Sequence, residues 1–362
     1  MTAPIPHYPF DHDVDIAEHG TWPAAVHRFD ARASAALRAA EACGRPLLVR
    51  GAPGVGKSQT ARAAAAFAGR PFLSAVIDGR TEPHDLMWRF DAVRRLADAQ
   101  VLRAGEALPR ELHYVEPQPL WWAYDWEGAK AQRTAHVEPC APPPDWNPAA
   151  DRAVLLIDEI DKADPDLPNA LLEVLANKGF GVPYGDRQAT CSDETRPLVV
   201  ITTNEERELP NAFLRRCLVL TLELPGNEAA LCKYLVEMGQ RHQAFQQRRL
   251  GDRWPGPCRV LPEAAARLWS EREAARRSGG YAAGTAEFLD LANALATLWP
   301  DDAVAQSAAQ AQLAEFSLRK GLRHEPRQSR LRRRAAACAG AARPGRARRR
   351  GAGLRARAPC AP

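Results

Sequence analysis

The chain has 362 residues, 46% hydrophobic and 26% charged, enough for a sizeable core and two domains. It contains no run of about 18 apolar residues, which excludes a membrane-spanning helix. Its start, MTAPIPHYPFDHD, has no basic region followed by an apolar one, so no secretory signal is expected. The net charge of +5 is uneven: from residue 319 onward 15 Lys and Arg stand against one acid, Glu325, giving +14, while the rest carries −9. The basic character therefore belongs to the tail, and the acidic body gives no electrostatic argument for nucleic acid. Eight scattered cysteines (Cys43, Cys140, Cys191, Cys217, Cys232, Cys258, Cys338, Cys360) form no CxxC pair. They predict reduced thiols in the cytoplasm, not a zinc knuckle or a disulfide framework.

In chain order, residues 1–30 read as an extended leader without periodicity. Ala31 to Cys43 is an Ala-rich helix closed by Gly44. PLLVR (Pro46 to Arg50) is a short apolar run of buried-strand type, leading into GAPGVGKS (Gly51 to Ser58) and a helix ending near Gly69. A second strand is predicted at Phe72 to Asp78. An insertion over about 85–150 follows, rich in tryptophan and proline. AVLLIDEID (Ala153 to Asp161) is a third strand. Asp164 is placed to cap the next helix, with Pro165 at its first position. A hairpin is expected around Gly181 to Arg196, then strands at Pro197 to Asn204 and Cys217 to Leu224.

From residue 226 to about 318 the pattern is helical only, with starts at Asn227, Pro262 and Thr285. Strands alternating with helices imply a parallel sheet over 31–225, and the helical block implies a second, smaller domain. The last segment, 319–362, is a basic tail. From Leu331 to Pro362, 28 of 32 residues are Ala, Arg, Gly or Pro, the residues of GC-rich codon families. Such a segment cannot bury apolar surface and is expected to be disordered. It reads as a frameshift or read-through product. The rival reading is an arm for nucleic acid or an anionic membrane.

The chemistry starts at Gly51, Gly56, Lys57 and Ser58, which satisfy GxxxxGK[ST] between a strand and a helix. The glycines let backbone amides approach phosphate oxygens, and the helix N-terminus adds partial positive charge. Pro53, Gly54, Val55 and Gln59 complete the candidate nucleotide-binding set. Lys57 would reach the β- and γ-phosphates, and Ser58 would hold Mg²⁺. Val154 to Ile157 run into Asp158 and Glu159 at a strand's C-terminal end, where open α/β sheets place ligands. There Asp158 can hold the metal through water, and Glu159 can orient and deprotonate the attacking water. ATP and Mg²⁺ are therefore the expected cofactors.

Asn204, ending the fourth strand, can help position that water, or else serves as a turn cap. Arg216 can extend to a neighbour's γ-phosphate, or else makes a surface ion pair; Arg215 competes for the same role. Trp121 and Trp122 read either as packing, in the core or between subunits, or as part of a substrate-gripping loop. The 181–196 hairpin is either a plain edge or pore-facing. His84 and His113 are expected to be structural or on the surface.

GAPGVGKS, LLIDEID, ITTN and LRRC, in that order and followed by a helical block, resemble an AAA+ ATPase. Within that superfamily DLMWRFDAVRRL (Asp85 to Leu96), YVEPQPLWWA (Tyr114 to Ala123) and DKADPDLPNALLEVLANKGFGVPYG are similar to the MoxR group. The resemblance, over about residues 30–315, implies a five-stranded core of order 5-1-4-3-2, a helical lid and ring hexamers with ATP between subunits. It also implies chaperone-like remodelling, often with a von Willebrand A domain partner. By the same likeness Lys57, Ser58, Asp158, Glu159, Asn204 and Arg216 take the family's roles. One departure stands out. The stretch that carries a sensor-2 arginine in that group is GTAEFL here (Gly284 to Leu289), with Phe288 in the arginine's place; lid closure on the γ-phosphate is then either weaker or borrowed from another residue, such as Arg276 or Arg277.

Two other functions compete. A nucleic-acid motor or loader predicts a basic pore, against the acidic body and the lack of a DNA-reading motif. A non-catalytic ATP-bound switch or scaffold is compatible with the missing arginine but leaves Glu159 without a purpose. No GAFTGA loop occurs, which disfavours an activator of alternative-sigma polymerase.

Overall fold

The computed structural model describes residues 5–103, 106–136 and 152–318, with the side chains of 134–136 excluded. The Pro-rich end of the insertion and the Arg-rich tail lie outside the described residues, and so do the readings made of them. The leader region holds a hairpin of β1 (Val14–Ile16) and β2 (Ala25–His27). Helix α1 (Ala31–Cys43) starts at Asp30, whose carboxylate accepts the Ala33 amide, and stops at left-handed Gly44. Strand β3 (Leu47–Arg50), helix α2 (Lys57–Ala68) and strand β4 (Phe72–Val76) follow. The insertion contributes β5 (Trp88–Phe90), α3 (Ala92–Val101), β6 (Val115–Pro117), α4 (Pro119–Tyr124) and α5 (Trp126–His136).

The chain then returns to the centre as β7 (Val154–Asp158). Helix α6 (Asp166–Asn177), a hairpin of β8 (Gly179–Gly181) and β9 (Gln188–Thr190), strand β10 (Leu198–Thr203), one-turn α7 (Asn211–Leu214) and β11 (Leu218–Thr221) complete this part. The sheet is parallel and five-stranded in the order β11-β3-β10-β7-β4. This is the order that the resemblance implied, with each strand one to four residues shorter than its predicted run. Helix α6 begins two residues after Asp164, whose side chain accepts the Asp166 amide instead of capping from the expected position.

Central strands are buried on both faces, which is why they read as unbroken apolar runs. Leu48, Leu155, Ile157, Val199 and Ile201 point to one face, against Trp121, Leu167 and Leu171. Leu47, Val49, Val154, Leu156 and Val200 point to the other, against Leu37 and the alanines of α2. Trp121 is fully buried against Phe180, and Trp122 is buried beside Trp126. Of the two readings of these tryptophans, packing is the one realised. His84 stacks on Trp88 and His113 meets Tyr114 edge-on.

The leader is not a free extended strand. Tyr8 is fully buried and bonded to Glu41. Buried Arg62 of α2 donates to the carbonyls of Ala17 (3.1 Å) and Pro23 (2.9 Å) and lies over Trp22, a contact contributing on the order of 1 kcal/mol. The helical block comprises α8 (Glu228–Leu250), α9 (Leu261–Ser278), α10 (Thr285–Leu298) and α11 (Ala303–Ser317), with its own core of Leu231, Leu235, Leu268, Phe288, Leu291 and Leu295. Asn227 caps α8 by accepting the Ala230 amide at 2.8 Å. Arg248 and Arg249 of α8 pair with Asp15 and Glu18, so the hairpin touches both α2 and the lid. No helix among the described residues is long and apolar enough to cross a membrane.

Candidate functional site

The loop from Gly51 to Gly56 joins the C-terminal end of β3 to the N-terminus of α2. Gly51 has φ +147°, and a Cβ there would meet the Leu222 carbonyl at 2.4 Å. Gly56 has φ +94° and open space where a Cβ would point. Only glycine leaves the backbone free to turn at the first position and a phosphate free to approach at the second. Lys57 is buried, and its ammonium donates to the carbonyls of Gly51 (2.7 Å) and Ala52 (3.0 Å) and to Asn204 Oδ1 (2.6 Å). Burial pulls its pKa below the ordinary range, while Asp158, Asp161 and Glu159 oppose that shift. Gln59 accepts from Arg62, so its side chain faces the leader's anchor.

Strands β7 and β10 are neighbours, and their ends bring three more residues to the loop. The Ser58 hydroxyl donates to both oxygens of Asp158, at 2.8 and 3.0 Å. A hydroxyl beside a carboxylate is a hard-oxygen donor pair that suits Mg²⁺ sharing phosphate oxygens. No cluster of three or more His, Cys, Asp or Glu that could hold a metal alone occurs among the described residues. The Asn204 amide donates to Glu159 Oε1 at 3.3 Å while its carbonyl faces Lys57, so charge on both sides fixes its orientation. Glu159 has φ +62°, a left-handed conformation that costs a non-glycine residue about 1 kcal/mol or more. Its amide is held by the Thr202 hydroxyl at 2.9 Å.

Four contributors escape motif reading. Thr202 is fully buried, accepts from Glu159 and donates to Asp158, and so locks the two acids together. Asp161, buried, accepts the amides of Asn204 (3.1 Å) and Glu206 (2.9 Å). Its other oxygen has no hydrogen-bond partner among the described residues. Lys162 donates to Glu159 Oε2 at 2.6 Å, and this bond holds the lysine's pKa above its usual range. The signal for Lys162 was its spacing, three residues after Glu159. Thr202 and Asp161 depend on β7 lying beside β10.

The fourth is Glu287, on the first turn of α10. It accepts the Gly284 amide (2.7 Å) and the Tyr281 hydroxyl (2.8 Å), and lies against Gly54 of the phosphate loop together with Ala286. The substitutes expected for the sensor-2 arginine are elsewhere. Arg276 pairs with Glu273 and lies over Trp269, and Arg277 is exposed on the last turn of α9. Phe288 is fully buried in the lid core, because the helical repeat turns it inward. The lid thus meets the loop with a carboxylate.

Arg215 and Arg216 are not brought to this cluster. They are exposed and follow α7, at the N-terminal end of β11. Strand β11 runs parallel to β3 with Leu218 beside Leu47, which places Arg216 level with Arg45. Six residues of extended chain, about 20 Å, separate Arg45 from Gly51. An arginine side chain reaches only about 7 Å. Neither guanidinium has a side-chain partner among the described residues.

Residues 46–217 match the family described as AAA domain (dynein-related subfamily). A Cytophaga hutchinsonii protein provisionally described as an ATPase is similar in structure, with a TM-score of 0.33 and 15% identity over 75% of this chain and 77% of that one. NtrX from Brucella abortus in complex with ATP has a TM-score of 0.43 and 15% identity over 89% of this chain and 60% of NtrX. Its ADP complex has the same score and identity over 84% of this chain and 59% of NtrX. This chain therefore spans about three fifths of NtrX. No curated protein matches it.

Proposed function

We propose that this chain, an ATP-hydrolysing P-loop NTPase with an AAA+ domain, is a MoxR-like machine that assembles into a ring and uses ATP to remodel a protein partner. The observation that carries assembly is the position of Arg215 and Arg216. They lie at the end of the sheet opposite their own phosphate loop, too far to serve it. An exposed arginine there is useful to hydrolysis only if a neighbouring subunit's nucleotide abuts it. A hexamer, and a von Willebrand A domain protein as partner, are the assignments that the resemblance to the MoxR group implies.

Within one site the backbone amides of the loop and Lys57 bind the phosphates. Ser58 and Asp158 are the residues that would hold magnesium, which when bound neutralises phosphate charge. Glu159 accepts the proton of the attacking water, and the Asn204 amide holds Glu159 while Lys57 holds the Asn204 carbonyl. Asp161 and Thr202 keep both in register. A non-catalytic switch is the second reading, favoured by two contacts: Lys162 occupies one oxygen of Glu159, and Glu287 stands where a cation would aid lid closure.

Steady-state ATP turnover by the full chain, measured across protein concentration beside Glu159→Gln, separates these readings. Turnover per subunit that rises with concentration and disappears in the variant is the expected result. Specific turnover independent of concentration would remove the assembled site. A rate that Glu159→Gln leaves unchanged would remove Glu159 from the chemistry.

A further inference from the structure

Arg45 is the single residue between Gly44, which ends α1, and Pro46, which precedes β3. Its guanidinium turns away from the phosphate loop. Nε donates to the carbonyl of Arg216 at 3.0 Å, and one terminal nitrogen donates to the carbonyls of Arg215 and Cys217, the latter at 3.3 Å. Three consecutive carbonyls thus converge on one side chain 171 residues away along the chain.

These carbonyls need such a partner. Helix α7 is a single turn, too short to persist without tertiary support, and its C-terminal end leaves carbonyls unpaired. The backbone beyond it is secured at Leu218, whose amide donates to the Pro46 carbonyl at 2.9 Å, the first bond of the β3–β11 ladder. The amides of Arg215, Arg216 and Cys217 turn back to the carbonyls of Asn211 (3.1 Å), Phe213 (3.0 Å) and Leu214 (3.2 Å), and the Arg45 fork holds the carbonyl side of residues 215–217. A planar guanidinium with five donors fixes their directions; a single ammonium could not. Those peptide planes in turn set the Cα–Cβ directions of Arg215 and Arg216.

We infer that Arg45 is a positioning residue for the trans-acting arginine: it holds the 215–217 turn so that one of the two guanidiniums enters the neighbouring subunit's nucleotide site. This rests on the reading that Arg215 or Arg216 acts across a subunit contact. Arg45 touches no nucleotide, and its loss leaves the phosphate loop of its own subunit complete. The defect of an Arg45 variant is therefore one of donation to a neighbour.

Subunit mixing with the full chain tests this. Lys57→Ala subunits have a dead site but an intact arginine turn. Arg216→Ala and Arg215→Ala subunits have the reverse. Mixing Lys57→Ala with one arginine variant should restore turnover that neither shows alone. If neither mixture does so, the trans reading fails and the Arg45 assignment falls with it.

With that control positive, Arg45→Ala alone should turn over about 10- to 100-fold more slowly, the scale of a misplaced catalytic group, while binding ATP within about twofold of wild type. Mixing it with Lys57→Ala should restore turnover; mixing it with the arginine variant should not. Arg45→Lys, which keeps charge and stem but lacks the fork, should fall between, and it stands in should Arg45→Ala fail to fold. The assignment is overturned if Arg45→Ala turns over within twofold of wild type. It is also overturned if Lys57→Ala subunits fail to rescue it, which would place its defect in its own site.

Discussion

The two ends of the parallel sheet are built on opposite plans. At the C-terminal end, Lys57, Ser58, Asp158, Glu159, Thr202 and Asn204 satisfy one another in a half-buried network. At the N-terminal end two arginines face solvent without side-chain partners among the described residues, on a turn whose carbonyls are held by Arg45. Polar groups that must meet a ligand with fixed geometry are prepaid in order at the first end. At the second, the guanidiniums are left exposed, as the proposed donation to a neighbouring subunit requires. The difference teaches where to look for incompleteness: a network closed on itself marks a site's fixed half, and unpaired cations on a braced turn mark the half it lends.

The largest effects should come from the closed end. Lys57→Ala should abolish ATP binding at micromolar protein, measured by calorimetry, since the buried ammonium anchors both the loop and Asn204. Glu159→Gln should keep binding and lose about 10³-fold or more in turnover if it is the base. Binding lost in Glu159→Gln would instead make that residue structural. At the open end, Arg216→Ala or Arg215→Ala should leave affinity unaltered and cost about 10³-fold in turnover. Loss of affinity in the active arginine variant would break the contrast, because it would place that residue in its own subunit's site.

A smaller effect is expected where the lid meets the loop. Glu287→Gln keeps an acceptor for the Gly284 amide and removes a negative charge beside Gly54. ATP affinity should rise about 3- to 10-fold, more than ADP affinity, because like charges near a phosphate repel. Equal gains for both nucleotides would mean that the carboxylate does not sense the γ-phosphate.

The smallest concerns the hairpin that joins core and lid. Burial, with the Arg241 cation nearby, pushes His27 down to about 4 from its ordinary 6.5, against the opposing charge of Asp30. Below pH 6.5 the unfolded chain binds this proton and the folded one does not, so stability falls as pH drops from 6.5 towards 4 and this contribution levels off beneath. Thermal melts of His27→Gln should show a shallower decline over that window. Parallel curves would assign the acid sensitivity to other groups.

The sequence by itself determined the parts that rest on local chemistry. The strands were legible because each apolar run of Leu, Val and Ile reads as a buried strand, and the resemblance to AAA+ ATPases implied their order. Helix α1 closed at Gly44 and α10 began at Thr285 as predicted, because caps and glycines act within one turn. The phosphate loop was legible because its function lies in its own backbone.

What only the tertiary structure decided were pairings between distant segments. Thr202 meets Asp158 across 44 residues, Asp161 meets the Asn204 amide across 43, and Arg45 meets the Arg216 carbonyl across 171. No periodicity announces such pairs, because they exist only when strands remote in the chain become neighbours in the sheet. The lid gives the sharpest case. The family resemblance placed Phe288 where a cation was expected, but the rotation of α10 against its own core decided that Phe288 is buried and that the residue facing the phosphate loop is an acid, Glu287.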